Sequence, residues 1–207
     1  SVENTLSRKV LETTCDVHRD ASLPKFHKKT FLEIDKNETP RLNSEAPGYG
    51  RKAAIYATCF VNYNNPSIGI AAVEVLNRNG VKTEVIYPSC CGMPQLEQGN
   101  ITEVAKSAEK VAKELRHWVD EGNDIIALTP SCALMLKFEW PLLLPENEDV
   151  KALSAATYDI DEYIVEIAKN EGLADGLRPL DGSVTLHHAC HSRAQNFGQK
   201  SAEMLKY

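Results

Sequence analysis

Residues 53–92 read AAIYATCFVNYNNPSIGIAAVEVLNRNGVKTEVIYPSCCG, and this stretch decides the fold class. Ala53 to Thr58 is a short apolar run of the kind that forms a buried strand. Asn65-Pro66 then supplies a helix N-cap with proline at the first helical position. Ile68, Ala71, Ala72, Val75 and Leu76 follow at helical spacing, and Gly80 stands where a helix stops. Val81 to Tyr87, rich in β-branched residues, predicts a second strand. Strand, helix and strand in this order make a βαβ unit, whose strands run parallel.

The same alternation continues downstream. Asn100 with Glu103 has the form of a capping box. Behind it Ile101, Val104, Ala105, Ala108, Val111, Ala112, Leu115 and Trp118 keep a 3.6-residue period. Asp124 to Leu128 predicts a third strand. Tyr158 to Lys169 predicts a helix with Ile160, Ile164 and Ile167/Ala168 inward. Val184 to His187 is expected to form a fourth strand and Ala194 to Lys206 a last helix. The expectation is an α/β fold: a Rossmann-like, mainly parallel sheet with flanking helices. No G-x-G-x-x-G follows any of these strands, so a dinucleotide cofactor is not supported.

The chain has 207 residues and a formal charge of −6, with a pI of about 5.6. Nucleic-acid binding leans on basic surface, so no nucleic-acid partner is expected. No apolar run approaches the roughly 20 residues of a membrane helix, and the first residues show no basic-then-apolar leader pattern. A cytoplasmic protein is the expectation. Residues 1–50 carry eight Lys/Arg and eight Asp/Glu, so the net charge belongs to the remainder. They contain a short helical pattern from Leu6 to Thr14, a polar stretch with Lys25, His27, Lys28 and Lys29, and a turn-rich run from Pro40 to Gly50. This part reads either as an extension packed on the main domain or as a solvated linker.

Six cysteines are the unusual feature of the composition. In an intracellular chain of this size, metal binding or redox chemistry accounts for them better than a disulfide framework. Cys59 follows the first predicted strand, Cys90 and Cys91 the second, Cys132 the third and Cys190 the fourth. Cys15 stands apart. Ligands of open parallel sheets bind beyond the carboxyl ends of the strands. Parallel neighbouring strands would therefore bring Cys59, Cys90, Cys91 and Cys132 to one crevice across gaps of about 30 and 40 residues. One cysteine at a strand end is readily a small buried hydrophobe; recurrence after every strand points to a thiophilic metal or an iron–sulfur cluster. Gly92 adds close backbone approach at the Cys90-Cys91 pair.

Cys59…Cys90-Cys91-Gly92…Cys132 resembles the CCG cysteine-rich domain. That domain occurs in heterodisulfide reductase, in the iron–sulfur subunit of anaerobic glycerol-3-phosphate dehydrogenase and in the glycolate oxidase iron–sulfur subunit. The resemblance covers roughly residues 53–207, and Arg19-Asp20-Ala21, Leu23-Pro24-Lys25-Phe26 and Thr30-Phe31 are similar to the segment that precedes the first repeat of the glycerol-3-phosphate dehydrogenase type. The family pattern ends each repeat in Cys-x-x-Cys, and tandem repeats are usual. Here Cys132-Ala133-Leu134-Met135 lacks the second cysteine. Four thiolates remain, enough for one [4Fe–4S] cubane or a tetrahedral zinc. The resemblance implies an N-terminal extension over 1–50, a first cysteine-rich lobe over 51–180 and the start of a second, incomplete lobe over 181–207. Cys190 would then be a metal ligand whose partners lie in the rest of that lobe. The ferredoxin-like module that often precedes the domain is not in this sequence, which resembles the central piece of a larger subunit.

The resemblance further implies a non-catalytic, iron–sulfur electron-transfer subunit of an oxidoreductase. It would relay electrons between a flavoprotein dehydrogenase subunit, or another electron-transfer subunit, and a quinone or disulfide acceptor. Contact with a membrane subunit would hold it at the inner face of the cytoplasmic membrane. Two other readings stay open: a structural zinc-binding docking module, and a metal-free thiol protein whose Cys90-Cys91 pair switches redox state. His187, His188 and His191 crowd around Cys190 and read equally as ligands or as satisfied histidines. A Cys190-His-Asp181 thiol hydrolase leaves the other strand-end cysteines unexplained. Arg193 reads as a surface residue, Met135 as core, and Tyr56, Tyr63 and Tyr87 are scattered in sequence without pattern.

Overall fold

The computed structural model describes residues 4–38 and 40–207. Ser1 to Glu3 and Thr39, part of the expected N-terminal extension, lie outside the described residues. Helices α1 (Thr5–Cys15) and α2 (Phe31–Glu38) precede strand β1 (Lys52–Tyr56). Then come α3 (Cys59–Tyr63), α4 (Pro66–Arg78), β2 (Lys82–Ile86), α5 (Met93–Glu97), α6 (Ile101–Asp120) and β3 (Asp124–Ala127). A short helix α7 (Pro130–Leu134) runs through a π-helical turn (Met135–Glu139) into α8 (Trp140–Leu143). Helix α9 (Glu148–Ala156), β4 (Thr157–Asp159) and α10 (Ile160–Asn170) follow, with α11 (Cys190–Ala194) and α12 (Lys200–Met204) last.

The four strands form one sheet in the order β2-β1-β3-β4, and every neighbouring pair is parallel. The α/β expectation is correct. Because side chains alternate along a strand, the sheet separates two cores. Ala54, Tyr56, Ile125 and Ala127 face a cluster with Val104, Ala108, Val111 and Leu115 of α6, Trp140, and Val150 and Leu153 of α9. Ala53, Ile55 and Ile126 face the opposite cluster, with Phe31 of α2, Val73 and Leu76 of α4, and Tyr163, Ile164 and Ile167 of α10. Phe31 is fully buried there, so α2 is part of the packed fold. Helix α1 buries none of its residues.

Several expectations need correction. The fourth strand is Thr157–Asp159, and Val184 to His187 has no regular structure and is largely exposed. The last helix is two short ones, interrupted between Gln195 and Gln199. Asn100 caps the start of α6 without a side-chain hydrogen bond; the capping box of this fold is at α10, where Asp159 and Glu162 satisfy each other's backbone N–H groups. The buried face of α4 is Gly69, Ala72, Val73, Leu76 and Asn77, while Ile68, Ala71 and Val75 are exposed. Phe31 sets that face: a Cβ on Gly69 would come within 2.6 Å of the Phe31 ring.

Candidate metal centre

Strand register places the site. Ile86, Tyr56, Ala127 and Asp159 lie level across the sheet, each the last residue of its strand. Chain order jumps from β2 over β1 to β3, so the winding reverses between β1 and β3, and a crevice opens beyond their carboxyl ends. Cys59 is the first residue of α3, just past β1. Cys90 and Cys91 lie in the irregular segment after β2, and Cys132 sits in α7 just past β3. All four line one cavity of about 120 Å³, together with Thr58, Phe60, Met93, Pro94, Thr129 and Ser131. The convergence read from the sequence is what the register produces.

Within the cavity the thiols stand as two pairs: Cys90 Sγ is 3.9 Å from Cys59 Sγ, and Cys91 Sγ is 3.2 Å from Cys132 Sγ. Cys91 and Cys132 are buried; Cys59 and Cys90 are half-buried. Among the described residues no group of three or more His, Cys, Asp or Glu side chains forms a ready-made metal-binding cluster. The donors nonetheless suit a thiophilic group. The lining contains four thiols, no carboxylate, and apolar walls from Phe60, Met93 and Pro94. Cys190 is exposed, at the start of α11, and does not line this cavity; Cys15 is exposed on α1. No cysteine follows β4, so the strand-end pattern holds for three strands, not four.

Burial and thiol–thiol contact hold Cys59, Cys90 and Cys91 protonated. Burial raises the Cys59 thiol, and Cys90 nearby adds to it. Cys90 is pushed up strongly by Cys91 and then by burial. Cys91 is pushed up to about 12, first by its hydrogen bond with Cys132. Metal ligation requires thiolates, so loading this site must expel protons.

The loops that carry the sulfurs are fixed from below. Thr58, immediately before Cys59, is held at φ 56°, ψ 154°, while its hydroxyl accepts from the Val61 N–H and caps α3. Thr129 Oγ1 donates to Thr58 Oγ1 at 3.1 Å, tying the ends of β1 and β3 together. Gly92 takes a left-handed φ of 84° to start α5, which turns the chain directly after the cysteine pair. The Tyr56 hydroxyl donates to the Ser89 carbonyl, and the Trp140 indole donates to the Cys91 carbonyl at 3.1 Å. Tyr87 bridges Tyr56 and Tyr63, with ring centroids 6.3 Å and 5.8 Å away. The three tyrosines that carry no sequence pattern thus form one row beside the thiols. Sequence reasoning missed Trp140 and Tyr56, because a side chain reaching a distant backbone carbonyl leaves no local signature.

Comparison with known proteins agrees with this geometry. Residues 53–137 match the family model described as CCG, cysteine-rich domain. The chain is 32% identical over 147 residues to lactate utilization protein A of Bacillus pumilus, covering 68% of this chain and 58% of that protein. It is 26% identical over 201 residues to a subunit of the anaerobic glycerol-3-phosphate dehydrogenase of Escherichia coli, covering 96% of this chain and 49% of that one. Lactate utilization protein A of Geobacillus kaustophilus is 31% identical over 147 residues, 68% of this chain and 57% of its own. The chain therefore spans about half to three-fifths of the length of these relatives. No solved structure matches it. Among the described residues, no helix is long and apolar enough to cross a membrane. With the cysteine pair, its glycine and both flanking cysteines gathered beyond the carboxyl ends of the strands, residues 53–137 make this chain a member of the CCG cysteine-rich domain family.

Proposed function

We propose that the chain is the iron–sulfur electron-relay part of an oxidoreductase, with Cys59, Cys90, Cys91 and Cys132 holding the cluster. The observation that carries this reading is the cavity lined by all four of these thiols at the switch point of the sheet. Its volume of about 120 Å³ is far above the roughly 10–15 Å³ one water-sized occupant needs, which favours a multi-atom group such as [4Fe–4S]. The cluster would supply one-electron redox chemistry. The chain's own part is to bind it through four sulfurs, exclude water with Phe60, Met93 and Pro94, and tune it through burial and nearby hydrogen bonds. The relatives named as lactate utilization protein A and as a glycerol-3-phosphate dehydrogenase subunit support an oxidoreductase role with a partner subunit. In this reading the electron donor is a flavoprotein dehydrogenase or another electron-transfer subunit and the acceptor a quinone or disulfide. Residues 51–180 form the first lobe and 181–207 begin a second, in which Cys190 is a ligand. A membrane subunit at the inner face of the cytoplasmic membrane is the proposed anchor.

A second reading, a structural zinc docking module, has one observation in its favour. Zinc–sulfur bonds of about 2.3 Å give a tetrahedral sulfur–sulfur edge of about 3.8 Å, close to the 3.9 Å between Cys59 and Cys90. Anaerobic purification separates the two. A brown protein with near-equal iron and acid-labile sulfide, both lost in Cys91→Ser, supports the relay. A colourless protein with about one zinc moves the assignment to the docking module. A metal-free protein in which Cys59→Ala behaves as wild type defeats both.

A further inference from the structure

Aromatic surface is concentrated beside the thiol cavity. Phe60, next to Cys59 on α3, lines the cavity and is also 45% exposed; Tyr63, one turn on, is 38% exposed. The segment before α2 is strapped onto α3, with the His27 N–H donating to the Tyr63 carbonyl at 2.9 Å and Asn64 Nδ2 donating to the Lys25 carbonyl at 2.8 Å. This strap holds the segment of Phe26, itself 73% exposed, against the end of α3. Single exposed apolar residues are ordinary; three exposed aromatics on two segments bonded to each other, one of them lining the cavity, are not.

The rim of this patch is basic in an acidic protein. Lys25, His27, Lys28 and Lys29 are all exposed. No Asp or Glu occurs between Asp20 and Glu33, or anywhere from Arg51 to Val73, although the chain as a whole carries −6. The acid that follows the strap, Glu33, is turned back onto Thr30, accepting from its N–H at 2.7 Å and from its hydroxyl at 3.0 Å.

We propose that the Phe26–Phe60–Tyr63 patch with its Lys25, Lys28 and Lys29 rim is the docking face for an electron-carrier protein with an acidic surface. Aromatic residues form the apolar centre of protein interfaces and charge sits at the rim, where it steers encounter. The inference rests on the electron-relay reading: docking here would set the partner beside the cavity wall at Phe60 and Cys59, from where a reduced carrier, itself oxidised by one electron, would supply that electron to a cluster held by the four thiols. The alternative occupant, an anionic membrane, fits less well. Polybasic lipid-binding segments gather about 4–8 Lys/Arg, this rim has three lysines, and the rest of the chain is acidic.

The test uses the full chain and an acidic plant-type [2Fe–2S] ferredoxin as the probe. Calorimetry on metal-free and cluster-loaded protein reads association, and stopped-flow absorbance of the loaded protein reads reduction by the ferredoxin or by dithionite. Association at low salt that weakens about tenfold in 0.2 M salt, and about as much in Lys28→Glu/Lys29→Glu, is expected. Phe26→Ser should weaken it without changing the salt dependence, and dithionite should reduce every variant at the wild-type rate. No association, or association indifferent to salt and to the charge reversals, overturns the proposal. So does sedimentation of the wild type, but not the double variant, with phosphatidylserine vesicles in place of ferredoxin binding. A protein without iron refutes the relay reading, and the calorimetric result still decides the docking face.

Discussion

The indole Nε1 of Trp140 donates to the carbonyl oxygen of Cys91 across 49 residues of sequence, in a fully buried contact. The π-helical turn at Met135–Glu139 directly precedes Trp140. A π-turn advances the register of the residues that follow it, and such turns cluster at functional sites. Here it separates Cys132 from the indole that anchors Cys91, so a single segment both supplies one sulfur and fixes the backbone of another. The Tyr56 hydroxyl does the same for Ser89 from the strand below.

Trp140→Phe keeps an aromatic ring in the core and removes the donor. A buried carbonyl left without its partner costs about 1–3 kcal/mol, and denaturant unfolding of the metal-free protein should show a loss of that size. Cobalt titration, followed by thiolate-to-metal absorption, should show weaker binding in the same variant. Unchanged cobalt affinity with lowered stability would mean that the indole supports only the core.

Thr58 occupies backbone that glycine adopts and a β-branched residue resists, immediately before Cys59. Such positions cost about 1–3 kcal/mol and persist where the surroundings impose them. Here the restraint is the hydroxyl, bonded to Val61 N–H and Thr129. Thr58→Ala loses those bonds and keeps the strain, whereas Thr58→Gly loses them and relieves it. Urea unfolding should therefore rank alanine below glycine by about 1–2 kcal/mol. The reverse order would show that this conformation is not strained.

The parts of the fold legible in sequence were those whose pattern repeats. Val104, Ala108, Val111 and Leu115 declare one helix face, and three strands, two apolar and one rich in β-branched residues, each end close to a cysteine. Thr157-Tyr158-Asp159 shows no such pattern. Three residues between two helices become a strand only because Ile125, Ile126 and Ala127 are there to pair with them. Val184 to His187 has better strand residues and lies outside the sheet. For the capping box, Asn100 and Asp159 offer the same spacing to a glutamate; the backbone at Asn100, φ −83° and ψ 58°, makes no side-chain cap, and that choice is tertiary. On α4 the apolar residues run around more than one side, so the buried face was decided by Phe31 arriving from α2. Cysteine positions were readable because they recur, while the thiol pairing depends on rotamers inside the cavity.

Phe31 ties the N-terminal segment to the core. Its side chain is fully buried against α4, in the cluster that includes Val61, two residues from Cys59. Phe31→Ala should cost about 3–5 kcal/mol, measured by urea unfolding, and should also raise the alkylation rate of Cys59 by loosening α3. A loss under about 1 kcal/mol would place α2 outside the cooperative fold.

Asp159 is buried at the end of β4, where desolvation pushes its carboxyl up to about 6, against the favourable hydrogen bond from Gln195 Nε2 at 3.1 Å. The folded value lies above the unfolded one of about 3.9, so the folded state holds the proton more tightly. Stability from this group is therefore fully present below about pH 4, falls between pH 4 and 6, and is lost above that, a span of about 2–3 kcal/mol. Asp159→Asn removes the charge and keeps an oxygen for the Asp161 N–H that begins α10. Its NH2 replaces the Oδ2 that accepts from Gln195 Nε2, so the Gln195 amide must turn over, which brings Oε1, buried without a hydrogen-bond partner, to the new donor. The variant should be more stable than wild type by about 1–2 kcal/mol at about pH 7.5, with the gain vanishing near pH 4. Urea melts across that range check the sign: a gain that grows towards low pH, or a loss at neutral pH that persists in acid, would show that the carboxylate is not carrying a desolvation cost.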